Sequence, residues 1–291
     1  MTQHTAICFG EILWDVLPNG TEPGGAPMNV AYHLNQLGIS AGLISRKGND
    51  KEGEQLIRFL KEHHVDTTLI QTDEEYATGK VIATPGDNYE MQYDIVFPVA
   101  WDFIDVTAPA KEKVTGSELL IFGSLAVRNG HSRKTLFDLL PAAKTRVLDI
   151  NLRPPHFEQE IIESLLKEAT ILKLNENEME LICGWYPFTG SLQERAAALS
   201  RRYSINDIVI TRGAEGAVYF SGGMFYEHPG FKVAVVDTVG SGDAFLAGFL
   251  EQLRKKAAPA AVLEFACRLG SFVATQKGAC PGYDPGKLTG D

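Results

Sequence analysis

Short apolar runs alternate with longer amphipathic stretches along most of the 291-residue chain, and this rhythm leaves few architectures open. Ala6–Phe9 and residues 119–122, 147–150, 171–174 and 208–211 read as buried strands, rich in Ile, Val and Leu. Between them, residues 53–62, 133–143, 159–168 and 193–202 carry apolar side chains at helical spacing. Strands that alternate with helices predict an α/β fold, with a mostly parallel sheet covered by helices on both faces. Residues 78–103 break the rhythm. There Gly79-Lys80-Val81-Ile82-Ala83-Thr84 and Tyr89-Glu90-Met91-Gln92-Tyr93-Asp94-Ile95 flank a turn former, Pro85-Gly86-Asp87-Asn88. Such a hairpin does not join a parallel sheet easily. It is predicted to pair with the segment 11–16 and build a small projecting sheet. With no repeat, low-complexity tract or linker, residues 1–291 are expected to form one domain. Its discontinuous β lid would come from about 11–35 and 76–104.

Composition narrows the function classes. A net charge of −10 disfavours a nucleic-acid partner, because backbone binding needs a basic surface. It does not disfavour a nucleotide, which one local loop can hold. Cys8, Cys183, Cys267 and Cys280 form no Cys-x-x-Cys pair and are expected to be reduced thiols. The N-terminus lacks a secretory pattern, and no stretch reaches the roughly 18 apolar residues of a membrane span. A cytoplasmic protein is expected.

Two segments carry chemistry. In Asp237-Thr238-Val239-Gly240-Ser241-Gly242-Asp243, a strand-like run at 233–236 leads in and an apolar helix at 244–253 leads out. Glycines around a serine let successive amides face one concavity, and the helix adds its positive end. The amides of Gly240, Ser241 and Gly242 would then stabilise charge on a transferring phosphoryl group, with Asp243 as general base. Taken alone, the turn equally fits an ordinary acidic helix start. In the second segment, Gly24-Gly25-Ala26-Pro27-Met28-Asn29, paired glycines allow close backbone approach, and Asn29 offers a donor and an acceptor to sugar hydroxyls. Asp15, just beyond the first strand, lies where open α/β sheets bind ligands. A loop aspartate before a helix start remains the plain alternative.

Together these residues resemble the ribokinase, or PfkB, family of carbohydrate kinases. Gly24-Gly25-Ala26-Pro27-Met28-Asn29 is similar to its N-terminal signature and Asp237 to Asp243 to its C-terminal one, in the expected order. Val99-Ala100-Trp101-Asp102-Phe103, Gly123-Ser124-Leu125-Ala126-Val127-Arg128 and Asp149-Ile150-Asn151-Leu152-Arg153-Pro154-Pro155 resemble the fructokinase branch. The resemblance implies a ribokinase-like three-layer αβα sandwich with a β-sheet lid, using ATP and Mg²⁺. It places Asn175 of Asn175-Glu176-Asn177-Glu178 at the nucleotide phosphates, and Glu178 at Mg²⁺ through water. Thr211, Gly213, Gly216, Gly242 and Cys267 would contact ATP, with Arg212 an unusual occupant of its turn. Asp237, Val239, Val273, Gln276 and Gly278 would surround a monovalent cation, K⁺. Arg153 would join Asp15, Gly24, Gly25 and Asn29 at the sugar. A homodimer through the lid is also implied.

Absences agree. There is no P-loop Gly-x-x-x-x-Gly-Lys-Ser/Thr, no dinucleotide glycine fingerprint, and no metal-ligand spacing among the seven histidines. D-fructose is the first expected acceptor. Ribose, 2-keto-3-deoxygluconate or a riboside are alternatives, and Arg128 or Arg153 would serve a carboxylated one. A non-catalytic sugar-binding protein on the same scaffold is the reading from another class.

Overall fold

The computed structural model describes residues 4–18, 20–85 and 91–288. β1 (Ala6–Phe9) is followed by β2 (Leu13–Leu17), β3 (Gly20–Gly24), α1 (Ala26–Gln36), β4 (Ala41–Gly48), α2 (Lys51–Glu62) and β5 (Ile70–Asp73). Then come β6 (Gly79–Pro85), β7 (Met91–Ile95), α3 (Ala108–Gly116), β8 (Leu119–Gly123) and α4 (Gly130–Leu139). Next are β9 (Thr145–Asp149), α5 (Gln159–Glu168), β10 (Ile171–Asn175), α6 (Glu176–Gly184), α7 (Leu192–Tyr203) and β11 (Asp207–Thr211). β12 (Ala217–Ser221), β13 (Met224–His228), α8 (Ser241–Arg254) and α9 (Pro259–Ala274) complete the order.

Among the described residues the main sheet has nine strands, in the order β13-β12-β11-β10-β9-β8-β1-β4-β5. β11 through β5 pair in parallel, while β12 and β13 add an antiparallel edge. Gly222 and Gly223, at φ 57° and 85°, form the tight turn that reverses the chain there. Strand side chains sort by a period of two. Ile7, Phe9, Leu120, Phe122, Leu172, Leu174, Ile208 and Ile210 join one core with α3 to α7. Ala6, Cys8, Ile121, Val147, Ile171 and Val209 join the other with α1, α2, α8 and α9. This is the three-layer αβα sandwich expected. Local chemistry agrees with it: Asp50 caps α2 by accepting the amide of Gly53, and Ser191 and Glu194 form a capping box on α7.

The second sheet has the order β3-β2-β6-β7. β6 of the hairpin pairs with β2, in the segment expected, from Leu13↔Gly79 to Val16↔Ile82, and the pairing is parallel. Gly86, Asp87 and Asn88 of its expected turn lie outside the described residues. Two expectations change. Residues 26–35, grouped with the lid on sequence alone, belong to α1, which is buried against β1, β4 and α8 because its apolar side chains complete the body's core. The run 233–236 forms no strand. It lies past the edge strand β13, and its Val236 amide meets the Ala274 carbonyl at the end of α9, leaving Val235 and Val236 61% and 66% exposed.

Candidate active site

The carboxyl ends of the central strands and the amino ends of α1 and α8 converge, where open parallel sheets present ligand crevices. α8 starts at Gly240, in the left-handed region at φ 76°; a Cβ there would stand 2.5 Å from the Ala279 backbone, so glycine is required. Ser241 departs from expectation. Its amide donates to Thr238 O at 3.2 Å and its hydroxyl to Gly270 O at 3.0 Å, so it fastens the turn to α9 and offers no amide to an anion. Gly242 and Asp243 keep first-turn amides that no intrahelical carbonyl accepts. Asp243 is 9% exposed, and its Oδ2 accepts the Asn29 amide at 2.8 Å. Burial lifts its carboxyl to about 6, against the opposing pull of Lys173. Such a group can hold a proton near neutral pH.

On the lid side, Asp15 projects from β2. A Cβ on Gly24 would stand 2.3 Å from Asp15 Oδ2, so that glycine makes room for the carboxylate. Gly25, at φ 115°, packs on the Glu11 carbonyl. Burial raises Asp15 to about 6, while Arg153 pulls it down and Asp237 and Asp243 push it up. Asp15, Arg153 and Asp243 therefore share one field. Asn29 is committed at both ends: its Nδ2 goes to Asp243, and its Oδ1 accepts from Cys280 Sγ at 3.4 Å. It orients the acid as well as facing the cleft. Arg153 is exposed, and its guanidinium donates to Leu152 O at 3.2 Å. Arg128 is not available to a substrate. It grips Asp102 at 2.8 and 2.9 Å, donates to Val96 O, and lies 4.0 Å over the Trp101 ring, locking the root of the lid.

On the opposite side, Asn175 caps α6 by accepting the Glu178 amide. Glu178 accepts the amides of Leu152 and Asn175, one on each oxygen, and burial raises its carboxyl, with Asp149 adding to the effect. Thr211 ends β11, and Gly213 and Gly216, at φ 56° and 82°, shape a turn closed by Arg212 N–H to Gly216 O. Cys267 is 5% exposed within α9, so little of it faces the cleft. Asp237 accepts the amides of Val239 and Gly278, which ties the α8 turn to the loop after α9. The Val273 carbonyl accepts Gln276 N–H.

Three residues at the site escaped the sequence reading. Lys173 pairs in register with Asp149 across β10 and β9, and its Nζ donates to both carboxylate oxygens at 2.9 Å. A Cβ on Gly242 would stand 3.2 Å from that Nζ, so the buried cation lies directly behind the α8 turn. Burial lowers Lys173, but Asp149, Asp243 and Glu178 outweigh it and its pKa rises. The signal was available: a lysine inside the run Ile171-Leu172-Lys173-Leu174 demands a buried partner. Glu11 is the third, 3% exposed and raised to about 7 by burial.

An α/β sandwich with a β lid, and a buried acid at a glycine-turned helix start beside free first-turn amides, is an arrangement suited to phosphoryl transfer onto a hydroxyl. The family profile described as pfkB family carbohydrate kinase matches residues 8–285, and the chain belongs to that family and is a carbohydrate kinase. Escherichia coli fructokinase is 30% identical over 93% of each chain, which supports the fructokinase-like branch. Vibrio cholerae fructokinase, solved with fructose, ADP and calcium, superposes with a TM-score of 0.81 at 24% identity, covering 96% of each chain. Aminoimidazole riboside kinase from Salmonella enterica superposes at 0.79 and 24%, covering 97% of this chain and 98% of its own. Among the described residues, no helix is long and apolar enough to cross a membrane.

Proposed function

We propose that this kinase transfers the γ-phosphoryl group of ATP to a hydroxyl of D-fructose, giving fructose 6-phosphate, with Asp243 as the base. The carrying observation is the Asp243 environment: a buried carboxyl at the start of α8, raised to about 6, held by Asn29 and backed by Lys173. The hydroxyl proton passes to Asp243 as the sugar oxygen bonds to the γ-phosphorus. The bond from that phosphorus to the β,γ-bridging oxygen breaks, and ADP leaves. Charge in transit falls on the amides of Gly242 and Asp243 and on Lys173. Asp15 and Arg153 hold the sugar, and Gly24 and Gly25 let it approach the backbone. Asn175, Thr211, Gly213 and Gly216 line the nucleotide side.

Fructose is favoured by the E. coli relative and by the sugar in the V. cholerae structure. Glu178 fits the outer shell of a hydrated Mg²⁺, since each of its oxygens already accepts an amide. When bound, that ion supplies charge neutralisation at the phosphates. Asp237 with the carbonyls of Val239, Val273, Gln276 and Gly278 suits K⁺, since an oxygen that accepts one amide keeps a further lone pair for a cation. The lid, which leaves Ile82, Tyr93 and Phe97 37%, 62% and 54% exposed, is the surface proposed for a homodimer. The test is an ATP-coupled assay with D-fructose, ribose, 2-keto-3-deoxygluconate and a riboside at fixed Mg²⁺. Preference for another sugar overturns fructose, and sugar binding without turnover of any overturns catalysis.

A further inference from the structure

Asn29 holds the base, and something must hold Asn29. The Asp243 carboxylate can only accept, so the Asn29 amide has to turn its nitrogen to Oδ2, as it does at 2.8 Å. That choice sends Asn29 Oδ1 the other way, and the residue is 4% exposed. A buried amide oxygen without a donor is costly, and the side chain would gain by turning away from Asp243. The donor is Cys280, whose thiol reaches Asn29 Oδ1 at 3.4 Å across 251 positions of sequence. A thiol serves only while it keeps its hydrogen. Burial, with the Asp243 charge adding to it, pushes Cys280 well above the usual thiol range, so it remains a donor at neutral pH.

The backbone that carries Cys280 is fixed from two sides. Asn29, Tyr32 and His33 lie on one face of α1, three and four residues apart. The Tyr32 hydroxyl donates to Pro281 O at 3.0 Å, and His33 Nε2 lies 2.9 Å from Ala279 O. A carbonyl only accepts, so Nε2 carries the ring hydrogen. Burial lowers His33 to about 4 and keeps the ring neutral, and Nδ1 accepts the Tyr283 hydroxyl at 3.0 Å. On the other side Ala279 abuts Gly240, and the Gly278 amide donates to Asp237 at 3.1 Å. Residues 279–283 therefore form a strap between α1 and the α8 turn. Cys280 is where that strap enters the Asn29–Asp243 pair.

We propose that Cys280 is a positioning residue for the phosphoryl transfer: its thiol holds the Asn29 amide so that Nδ2 stays on Asp243 and the base stays aimed at the acceptor hydroxyl. The inference rests on the kinase reading above.

Two substitutions separate the donor from the space it fills. Cys280→Ala removes both, whereas Cys280→Val removes the donor and fills the space. Steady-state kinetics with D-fructose should show kcat lowered roughly threefold to tenfold in each, the worth of one modest hydrogen bond, with the KM for ATP unchanged. A residue that only packs the strap would lower the melting temperature in Cys280→Ala and leave kcat at the wild-type value in Cys280→Val. That result overturns the proposal. The route is tested by a double-mutant cycle. In an Asn29→Ala background, the further change Cys280→Ala should lower kcat no more. A loss that persists there runs through the Gly240 or Gly278 contacts instead, and overturns the proposal equally. If Cys280→Ala does not fold, Cys280→Val takes its place in the cycle. If the wild type turns over no acceptor, the kinase reading fails first. A crystal structure of Cys280→Ala then decides the Cys280 contact separately, an Asn29 amide still seated on Asp243 counting against it.

Discussion

Replacing Asp243 by Asn should make the protein inactive and more stable at once. The folded carboxyl sits at about 6 against an ordinary 3.8, chiefly because it is buried. That shift of about 2 units corresponds to about 3 kcal/mol by which ionising Asp243 disfavours the folded state. The sign follows from proton counts. Between pH 3.8 and 6 the folded chain binds more protons at this site than the unfolded chain, so stability falls as pH rises through that window. Above it the full cost persists. Asparagine is nearly isosteric and can still accept the Asn29 amide, so Asp243→Asn removes the cost without opening a cavity. Lys173 keeps Asp149 as its partner. The expected gain is at most about 3 kcal/mol at pH 8, or about 6 °C in melting temperature for a chain of this size, fading to nothing near pH 4. Turnover should fall by roughly 10² to 10⁴, the worth of a general base. Scanning fluorimetry across pH 4 to 8 and a coupled ADP assay read both, and the acid limb of wild-type kcat/KM should lie near the Asp243 value. A variant with more than about a tenth of wild-type kcat refutes the base assignment. Equal or lower stability than wild type at pH 8 refutes the claim that burial of this charge is what raises it.

Lys173→Met leaves Asp149 buried without its counterion, so unfolding in urea should show a loss of about 3–5 kcal/mol together with loss of turnover; unchanged stability would contradict the buried pair. Arg128→Met strands Asp102 in the same way and should cost a similar amount, while acceptor preference measured on whatever protein folds stays as in the wild type. A shift toward or away from carboxylated sugars in that variant would contradict its structural role. Gly240→Ala forces a side chain onto Ala279 at a positive φ and should cost about 1–3 kcal/mol with a large drop in kcat, read by melting and by the coupled assay.

Much of the site was legible because its chemistry is local in sequence. Gly240, Gly242 and Asp243 are neighbours, and a glycine turn before an apolar helix sets free amides and a carboxylate together at one helix start. Asp15, Gly24 and Gly25 are similarly close, and the hairpin's pairing with 11–16 could be read from its failure to suit a parallel sheet. What misled was composition without neighbours. Residues 233–236 have the β-branched content of a strand but pair with none, the Val236 amide going to Ala274 O, and Ser241 has the motif position of an anion ligand but spends its amide on Thr238.

Periodicity alone determined the α/β layering and the crevice at the strand ends, because side-chain burial repeats every two residues in strands and every 3.6 in helices whatever lies far away. Only the folded chain decided how charges were shared. Lys173 belongs to Asp149 through strand register, Arg128 to Asp102 through the lid root, and Asn29 to Asp243 across 214 positions. Electrostatic energy depends on distance in space and on exclusion of water, and neither quantity is written in the order of residues.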